Sequence, residues 1–401
     1  MTDLVQRALA RNGDLRVAVS RLQEYRARLT AADSARATTV NAAANPARGR
    51  VLSAFGTPVT ATSLQGNLQA SYELDLFGKL AATTAAARAD LQSQQALADA
   101  TALSIAANTA SGYLNLRGLD AQLALARATL VSRERALELA KRQFEVGYSS
   151  RLDFAQAQSE YHATAVVVPQ LERSIAQQEN ALSVLIGASP GAITRGAALQ
   201  VLAAPAIAPG LPSDLLRRRP DIAQAERAIV AADAGLAAAR DQLLPSIRLN
   251  ASAGPQAYSV GQLLHSPILL WSVGGSVLAP LLDGGRLRAQ ADIAASLRDR
   301  AVIGYESVVR NAFADAENAL AGVQWLGEQL AEARLRQQAA TEALRIAHNR
   351  YANGYASYLE ELDAQRNAFS VDLSVLQLHA SLLAAHVDLY RALGGGWKSN
   401  L

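Results

Sequence analysis

The sequence contains one pattern twice, and this internal repeat constrains the fold more than any other feature. Asp14 and Asp221 each open an alanine-rich stretch, and they lie 207 residues apart (221 − 14 = 207). The same offset relates further pairs: Gly78 with Gly285, Gly147 with Gly354, Tyr148 with Tyr355, Leu152 with Leu359 and Gly187 with Gly394. One offset that holds from residue 14 to residue 187 indicates an internal duplication, so we expect a fold with two similar halves.

Each copy is predicted to contain the same elements in the same order. An alanine-rich helix comes first, at about 14–37 and 220–243, and the second begins with Pro220 in its first turn. Two strands follow, and then two long helices joined by a glycine-centred turn. We divide the chain into a first repeat at 1–187, a linker richer in Pro and Gly at 188–212, a second repeat at 213–397 and a tail at 398–401.

The predicted strands have two different faces. Residues 64–76 carry small or apolar side chains at even positions and Gln, Asn, Ser, Glu or Asp at odd positions. A period of two over this length predicts a strand with one apolar and one polar face. The same alternation marks three further predicted strands, at 40–44, 247–253 and 271–277.

The predicted long helices span 78–146 and 285–353, and each would be on the order of 100 Å long at 1.5 Å per residue. Small or apolar residues recur in the first at alternating spacings of three and four, interrupted by Arg133. In the second copy the interruption is Gln337. This spacing predicts helices that pack side by side as in a left-handed coiled coil. Pro169 is predicted to kink the returning helix.

Composition excludes several classes of function. The formal charge of +3 over 401 residues gives no indication of a nucleic-acid partner. The absence of cysteine excludes disulfides, thiolate metal sites and cysteine nucleophiles. The sequence has no run of 18 apolar residues, so no transmembrane helix is predicted. Since the start of the chain has neither a signal-peptide pattern nor a lipidated cysteine, we expect a processed or truncated chain.

Four strands with one apolar face cannot close into a membrane barrel alone, and lipid tolerates no open sheet edge. Three chains would supply twelve strands, an even number as such barrels usually have. The polar face would line water and the long helices would continue the barrel as a tube. Tyr72 and Trp271 are candidates for the aromatic girdle of the membrane. The pattern therefore predicts a membrane-anchored duct.

The sequence resembles the outer-membrane efflux proteins of the TolC/OprM family, and within them the NodT-like branch of RND efflux outer-membrane lipoproteins. Three features carry the resemblance: the segment Leu-Pro-Ser-Asp-Leu-Leu-Arg-Arg-Arg-Pro-Asp-Ile at 211–222, the strand entry at 244–247, and the turn that runs from Tyr351 through Gly354 to 362–366. The lipid-modified cysteine of that branch is absent here.

The resemblance implies a mainly α fold with a membrane β-barrel part. It implies a homotrimer with a 12-stranded barrel in the outer membrane of a Gram-negative cell and a periplasmic α-barrel. The partners that it implies are a periplasmic adaptor, an inner-membrane pump of the RND type and outer-membrane lipid. The implied function is passive, gated export of drugs or other small molecules, with no cofactor and no nucleic acid.

The turns between the long helices are the candidate functional region. Glycine there has a structural reason, since a tight reversal requires positive φ. The predicted adaptor-contacting residues are Gly147, Tyr148, Ser149, Ser150, Gly354, Tyr355, Ala356 and Ser357. The resemblance implies a periplasmic gate beside them, at Asp153, Tyr351, Glu360, Asp363 and Arg366. An acidic residue early in a helix also has a plain role, because it interacts favourably with the helix dipole.

Other conspicuous residues favour structural interpretations. The three arginines at 217–219 are expected to be solvated or ion-paired, and Gly394, Gly395 and Gly396 to end a helix. His379 and His386 are too few and too far apart for a metal site. No catalytic constellation is visible, so we expect no enzyme. The alternative to a duct is a soluble coiled-coil scaffold without a pore, which would have no use for a two-faced strand.

Overall fold

A computed structural model describes residues 1–204 and 218–395. Its helices are α1 (Thr2–Arg11), α2 (Gly13–Ser34), α3 (Lys79–Glu145), α4 (Arg151–Leu185), α5 (Pro220–Asp241), α6 (Val260–His265), α7 (Arg286–Ala352) and α8 (Tyr358–Ala392). Its strands are β1 (Thr39–Leu52), β2 (Pro58–Leu74), β3 (Ser246–Ala257) and β4 (Ile268–Leu278). The end of the predicted linker, most of the 211–222 segment with Arg217, Gly396 and the tail at 398–401 lie outside the described residues.

The helices of the two repeats correspond in length and in position. The pairs α2 and α5, α3 and α7, and α4 and α8 have equal lengths of 22, 67 and 35 residues, and each pair is offset by 207. The long helices begin and end within one residue of the predicted positions. The first alanine-rich helix ends at Ser34, earlier than predicted, because the β-branched Thr39 and Val40 already belong to β1.

The N-terminal helix α1 was not predicted. It is short, and two of its residues, Leu4 and Ala8, are buried in an apolar cluster with side chains of α3 and α4. Asn12 separates α1 from α2. Its side-chain oxygen accepts hydrogen bonds from the backbone N–H of Asp14 at 2.8 Å, and its amide donates to the carbonyl of Leu185 at 3.0 Å. Asn12 therefore caps α2 and attaches it to the end of α4.

The chain folds into two compact units, and each contains residues from both repeats. The first consists of Met1–Val19, Leu97–Ile222 and Val308–Leu401, and the second of Ser20–Ala96 and Ala223–Ser307.

The second unit contains a four-stranded antiparallel sheet in the order β1-β2-β3-β4. The four predicted strands are confirmed, and all are longer than predicted because the hairpins extend beyond the alternating core. Tyr72 lies opposite Leu249, and Ala253 lies opposite Trp271. Since cross-strand partners share a face, Tyr72 and Trp271 lie on the same side of the sheet, at levels four residues apart.

The two faces of the sheet differ in polarity. The apolar face includes Val40, Leu68, Ala70, Leu249, Val273 and Val277 in addition to the two aromatic residues. The opposite face carries Asn41, Gln69, Ser71, Asn250, Ser252 and Ser276. Every residue of β1 and β4 is exposed, so no segment of the described structure covers either edge strand.

The first unit is a helical bundle. The described part of the linker packs against it, since Ile193 and Leu199 are buried in two of its apolar clusters. Arg195 forms ion pairs with Asp120 and Glu179 and joins this segment to α3 and α4. Pro169 does not end α4, which continues through it; the predicted kink stays a prediction.

One described helix, α8, is long and apolar enough to cross a membrane by length and composition alone. This is weak evidence, because a core helix passes the same test. Val371 and Val375 of α8 pack in a buried cluster with Leu330 and Ala340 of α7. These contacts bury part of the apolar surface of α8, although only 22% of its most apolar window is buried.

Candidate functional site

The two turns between the long helices have the same backbone geometry. Gly147 and Gly354 have φ values of 76° and 77°. In each turn the glycine N–H donates to the carbonyl three residues back, and the following tyrosine N–H donates to the carbonyl five residues back, at 2.8 to 3.0 Å. This is a Schellman motif, which requires the positive φ that glycine adopts without strain. The predicted turns are confirmed, and Tyr148 and Tyr355 are 83% and 79% exposed at their tips.

The helices that leave the turns begin differently. Ser150 and Asp153 form a capping box, in which the Ser150 hydroxyl accepts from the Asp153 N–H at 3.1 Å and the Asp153 carboxylate accepts from the Ser150 N–H at 3.2 Å. The equivalent Ser357 makes no side-chain cap. Glu360 instead forms an ion pair with Arg350 at 3.2 Å. The predicted gate residue Asp153 thus has a structural role that Glu360 does not share.

Aromatic pairs hold the helices together beside the turns. Phe144 and Phe154 stack with ring centroids 5.7 Å apart in the first copy. In the second copy Tyr351 contacts Tyr358, with centroids 5.5 Å apart. Burial, together with the charges of Glu361 and Asp153, raises the pKa of Tyr351. Burial raises the pKa of Tyr358 to about 12, so both phenols are neutral at physiological pH.

Glu160 is the centre of a partly buried charge cluster that joins α3, α4 and α8. The Arg366 Nε donates to Glu160 at 2.6 Å, and Arg133 lies 3.9 Å from the other carboxylate oxygen. Arg133 is 6% exposed and Glu160 is 8% exposed. Burial lowers the pKa of Arg133, whereas Glu160 opposes that shift. Asp363 also pairs with Arg366, at 3.6 Å, but is well exposed.

A second buried carboxylate, Glu361, lies on the same part of α8. It is 5% exposed, lies 2.8 Å from His348 Nδ1, and accepts a hydrogen bond from Gln365 at 2.9 Å. Its counterpart in the first copy is Phe154, so a charge replaces an aromatic ring between the repeats. Arg133, His348, Glu361 and Gln365 line a groove of about 580 Å³.

The structure therefore connects only some of the predicted gate residues. Arg366 and Asp363 form a pair, and Asp153 influences Tyr351 electrostatically, whereas Glu360 pairs separately with Arg350. The sequence-based prediction missed five residues of this region: Arg133, Glu160, His348, Tyr358 and Glu361. A signal was present, because Glu160 falls in the three-four spacing of buried α4 positions, between Ala157 and Thr164.

The prediction that the arginines at 217–219 are solvated or ion-paired is supported for Arg219. Arg219 is buried, donates to Asp221 at 2.7 and 3.0 Å and to Asp315 at 3.0 Å, and reaches the carbonyl of Ala392 at the end of α8. Gly394 follows α8 with a positive φ. The described residues contain no cluster of three or more potential metal ligands.

Comparison with known proteins identifies the family. A profile of the outer membrane efflux protein family matches the chain twice, at 4–188 and at 211–395. The matches begin 207 residues apart (211 − 4 = 207), which is the offset of the internal repeat. This chain belongs to the outer membrane efflux protein family.

Individual relatives agree over nearly the full chain. The antibiotic efflux pump outer membrane protein ArpC of Pseudomonas putida is 34% identical over 99% of this chain and 83% of the relative. The cation efflux system protein CusC of Escherichia coli is 32% identical over 98% of this chain and 86% of the relative. The open state of the MtrE outer membrane channel of Neisseria gonorrhoeae matches with a TM-score of 0.88 at 33% identity, covering 99% of this chain and 89% of that one.

The outer membrane efflux protein described here is an outer-membrane channel component of an efflux system, as predicted, with a TolC-like fold and a periplasmic extension. The family consists of channels and not enzymes. The comparisons do not favour the alternative of a soluble coiled-coil scaffold without a pore.

Proposed function

We propose that three copies of this chain form a passive, gated duct across the outer membrane. The supporting observation is the four-stranded sheet with one apolar face and two edge strands, β1 and β4, whose outer sides pair with no other described strand. An unpaired edge in lipid leaves backbone N–H and C=O groups unsatisfied, at a cost of several kcal/mol for each group. Pairing β1 of one copy with β4 of the next removes every edge and gives a twelve-stranded barrel.

The absence of cysteine makes this arrangement directly testable. We would place one cysteine at Ala42 of β1 and a second, in turn, at Leu269, Trp271, Val273 or Val277 of β4, all on the apolar face. At least one pair should give a cross-linked trimer on a denaturing gel after mild oxidation. Cysteines at Ala70 and Ala251, opposite each other within one chain, are the control and should give no cross-linked oligomer. Cross-linked dimers without trimers would contradict the proposal.

We further propose that the gate lies beside the two turns and includes Asp153, Tyr351, Glu360, Asp363 and Arg366. Its support is the break in the repeat there, since Gln156 and Ser159 are replaced by Asp363 and Arg366 in the second copy. In a trimer each of these charges would occur three times around the axis, where ion pairs close a pore and carboxylate rings favour cations.

Conductance tests the gate. Asp363→Ala and Tyr351→Phe should each raise the single-channel conductance in planar bilayers, because each removes a polar group from the constriction. Glu138→Gln, at an exposed pair with Arg142 on α3, is the control and should leave it unchanged. Unchanged conductance in both gate variants would exclude these residues from the gate, while the barrel would remain testable by cross-linking.

The proposed partners are a periplasmic adaptor at the turns and an RND-type inner-membrane pump. The adaptor surface comprises Gly147, Tyr148, Ser149, Ser150, Gly354, Tyr355, Ala356 and Ser357. Exposed tyrosines are typical anchors of protein interfaces, because they bury large area at small entropic cost. Replacing Tyr148 and Tyr355 by alanine should reduce co-purification of the adaptor after cross-linking in cells. Replacing the exposed Tyr390 of α8 is the control. Equal recovery in both variants would contradict the assignment.

We propose that the substrate class is set outside this chain. One relative is named for an antibiotic efflux pump and another for a cation efflux system, although both align with almost the whole chain. A common duct that exports small molecules selected by the pump accounts for this difference.

A further inference from the structure

The outer end of the sheet carries two arginines on its apolar face. The β1–β2 hairpin turns at 53–57, at the end of the sheet away from the helices that precede β1 and follow β2. Arg48 and Arg50 lie near this turn, opposite Thr62 and Thr60. Their face is that of Val40 and of Leu68, Tyr72 and Trp271, because residues at even positions of β1 and β2 share one side.

These arginines lie just beyond the apolar band. On β2 the band runs from Tyr72 to Leu64, about 26 Å along the strand at roughly 3.3 Å per residue. Because barrel strands are tilted by about 40°, this length spans roughly 20 Å across the bilayer, so the outer edge of the usual apolar band of about 25 Å falls near the level of Arg48. Pairing of β2 with β3 ends at Leu64, so Arg48 and Arg50 belong to a two-stranded extension above the four-stranded part. That level corresponds to the headgroups of the outer leaflet.

Among the described residues, the sheet and its outer loops place no acidic side chain near these two arginines. The segments 39–72 and 246–282, which contain both outer loops and all four strands except Glu73 and Leu74 at the end of β2, have no Asp and no Glu. The nearest acidic residue along β2 is Glu73, at the helical end of the sheet. It already pairs with Lys79 and Arg248. Both arginines are exposed, and among the described residues neither forms an ion pair.

A neighbouring copy cannot supply the counter-charge either. In the proposed trimer the edge of β1 meets β4 of the next copy, and β4 has no charged residue at all. An anionic partner of Arg48 and Arg50 would therefore come from another molecule.

We propose that Arg48 and Arg50 bind the phosphate groups of anionic lipid headgroups in the outer leaflet. The inference rests on the sheet being the membrane-spanning part of the duct. A guanidinium donates two parallel hydrogen bonds to a phosphate, and the side chains of residues two apart on a strand lie about 7 Å apart. The two arginines can thus bind one phosphate together or one phosphate each, and the proposed trimer presents three such pairs.

The test uses the full-length protein in lipid bilayer discs that contain bisphosphorylated lipid A, or the same lipid after dephosphorylation. Lipid that remains bound after exchange into detergent is counted by native mass spectrometry. The unmodified protein should retain the phosphorylated lipid with a clear preference. Arg48→Ser with Arg50→Ser should weaken retention about 30-fold, roughly fivefold for each arginine near a charged membrane surface.

Two further variants make the result specific. Arg288→Ser with Arg300→Ser removes the same charge from exposed positions of α7 and should keep the preference. Arg48→Lys with Arg50→Lys should keep most of the preference for the phosphorylated lipid, because the positive charge remains. The part that is lost reflects the bidentate hydrogen bonds, which lysine cannot form. If the serine variant fails to assemble, the proposal is still tested by the unmodified protein, which should retain the phosphorylated lipid in preference to the dephosphorylated one.

Three results would overturn the proposal: equal retention of both lipids by the unmodified protein, equal loss in the Arg288 and Arg300 variant, or complete displacement by millimolar inorganic phosphate, which would indicate an ion site and not a lipid site. Bilayer conductance of the same samples separates this inference from the duct itself. Normal conductance with no lipid preference rejects the lipid site alone, whereas failure to insert rejects the proposed barrel.

Discussion

At the scale of single residues, Glu160 balances the charges beside the two turns. It is the only carboxylate that the structure pairs with the buried Arg133, and it also accepts from Arg366. Removing one partner of a buried pair leaves the other charge uncompensated, which costs about 3 kcal/mol. We expect Glu160→Gln to lower the thermal midpoint followed by circular dichroism. Glu172→Gln, at an exposed pair with Arg127, should change it little. Equal midpoints for the two variants would contradict the buried role.

Tyr358 predicts a dependence of stability on alkaline pH. Its pKa is about 12 when folded, against about 10 when unfolded. Because the folded state holds this proton more tightly, the stabilisation is complete below pH 10 and is lost as the pH rises from 10 to 12. The loss should be about 3 kcal/mol, since each pKa unit corresponds to about 1.4 kcal/mol. Tyr358→Phe should flatten the decline in thermal midpoint over that window, whereas Tyr148→Phe at the exposed tip should not. A decline as steep in the phenylalanine variant as in the unmodified protein would refute this assignment.

At the scale of elements, the repeat provides its own control for helix capping. Ser150 caps α4 through its side chain, whereas the equivalent Ser357 makes no such bond at the start of α8. Ser150→Ala should therefore destabilise the protein by about 1 kcal/mol, and Ser357→Ala by less. Urea unfolding followed at 222 nm measures both. The prediction fails if the second substitution costs as much as the first.

Two glycines that follow the ends of helices allow a second comparison, between positions with the same backbone conformation and different surroundings. Gly147 and Gly187 both have positive φ, but a Cβ at Gly147 would meet nothing within 4 Å, while at Gly187 it would lie 2.4 Å from the carbonyl oxygen of Arg11. We expect Gly147→Ala to cost about 1 kcal/mol from backbone strain alone. Gly187→Ala should cost about 3 kcal/mol or more, since backbone must move. If the two variants had similar urea midpoints, α1, which ends at Arg11, would be able to move away from the new side chain without a cost in stability.

At the scale of the whole molecule, the two copies would make the proposed trimer six-fold pseudo-symmetric, and Asp363 would break that symmetry. Its counterpart Gln156 is neutral, so three carboxylates rather than six would surround the axis at this level. Asp363→Ala should lower the ratio of cation to anion permeability, measured from reversal potentials in a salt gradient. Gln156→Ala is the matched control and should leave the ratio unchanged. An unchanged ratio in both would place Asp363 away from the conduction path.

Much of this architecture could be predicted from local patterns. The 207-residue offset, the alternation in the strands and the glycine turns each depend on neighbouring residues, and the structure places all of them where expected. The gate region could be predicted only in part. Arg133 was visible as an interruption of the apolar spacing, but its partner Glu160 lies on another helix. The helix α1 was missed because it is stabilised by burial of Leu4 and Ala8 against distant segments.

The amino-acid sequence by itself determined the duplication, the order of the elements and the two faces of the sheet, because periodicity and backbone preference act between residues close in the chain. Only the tertiary structure decided which charges meet. It paired Glu160 with Arg366 across 206 residues and buried Glu361 beside His348. It also set the strand register that leaves Arg48 and Arg50 without an acidic neighbour. Such contacts depend on how helices and strands pack, which side-chain spacing along one element does not encode.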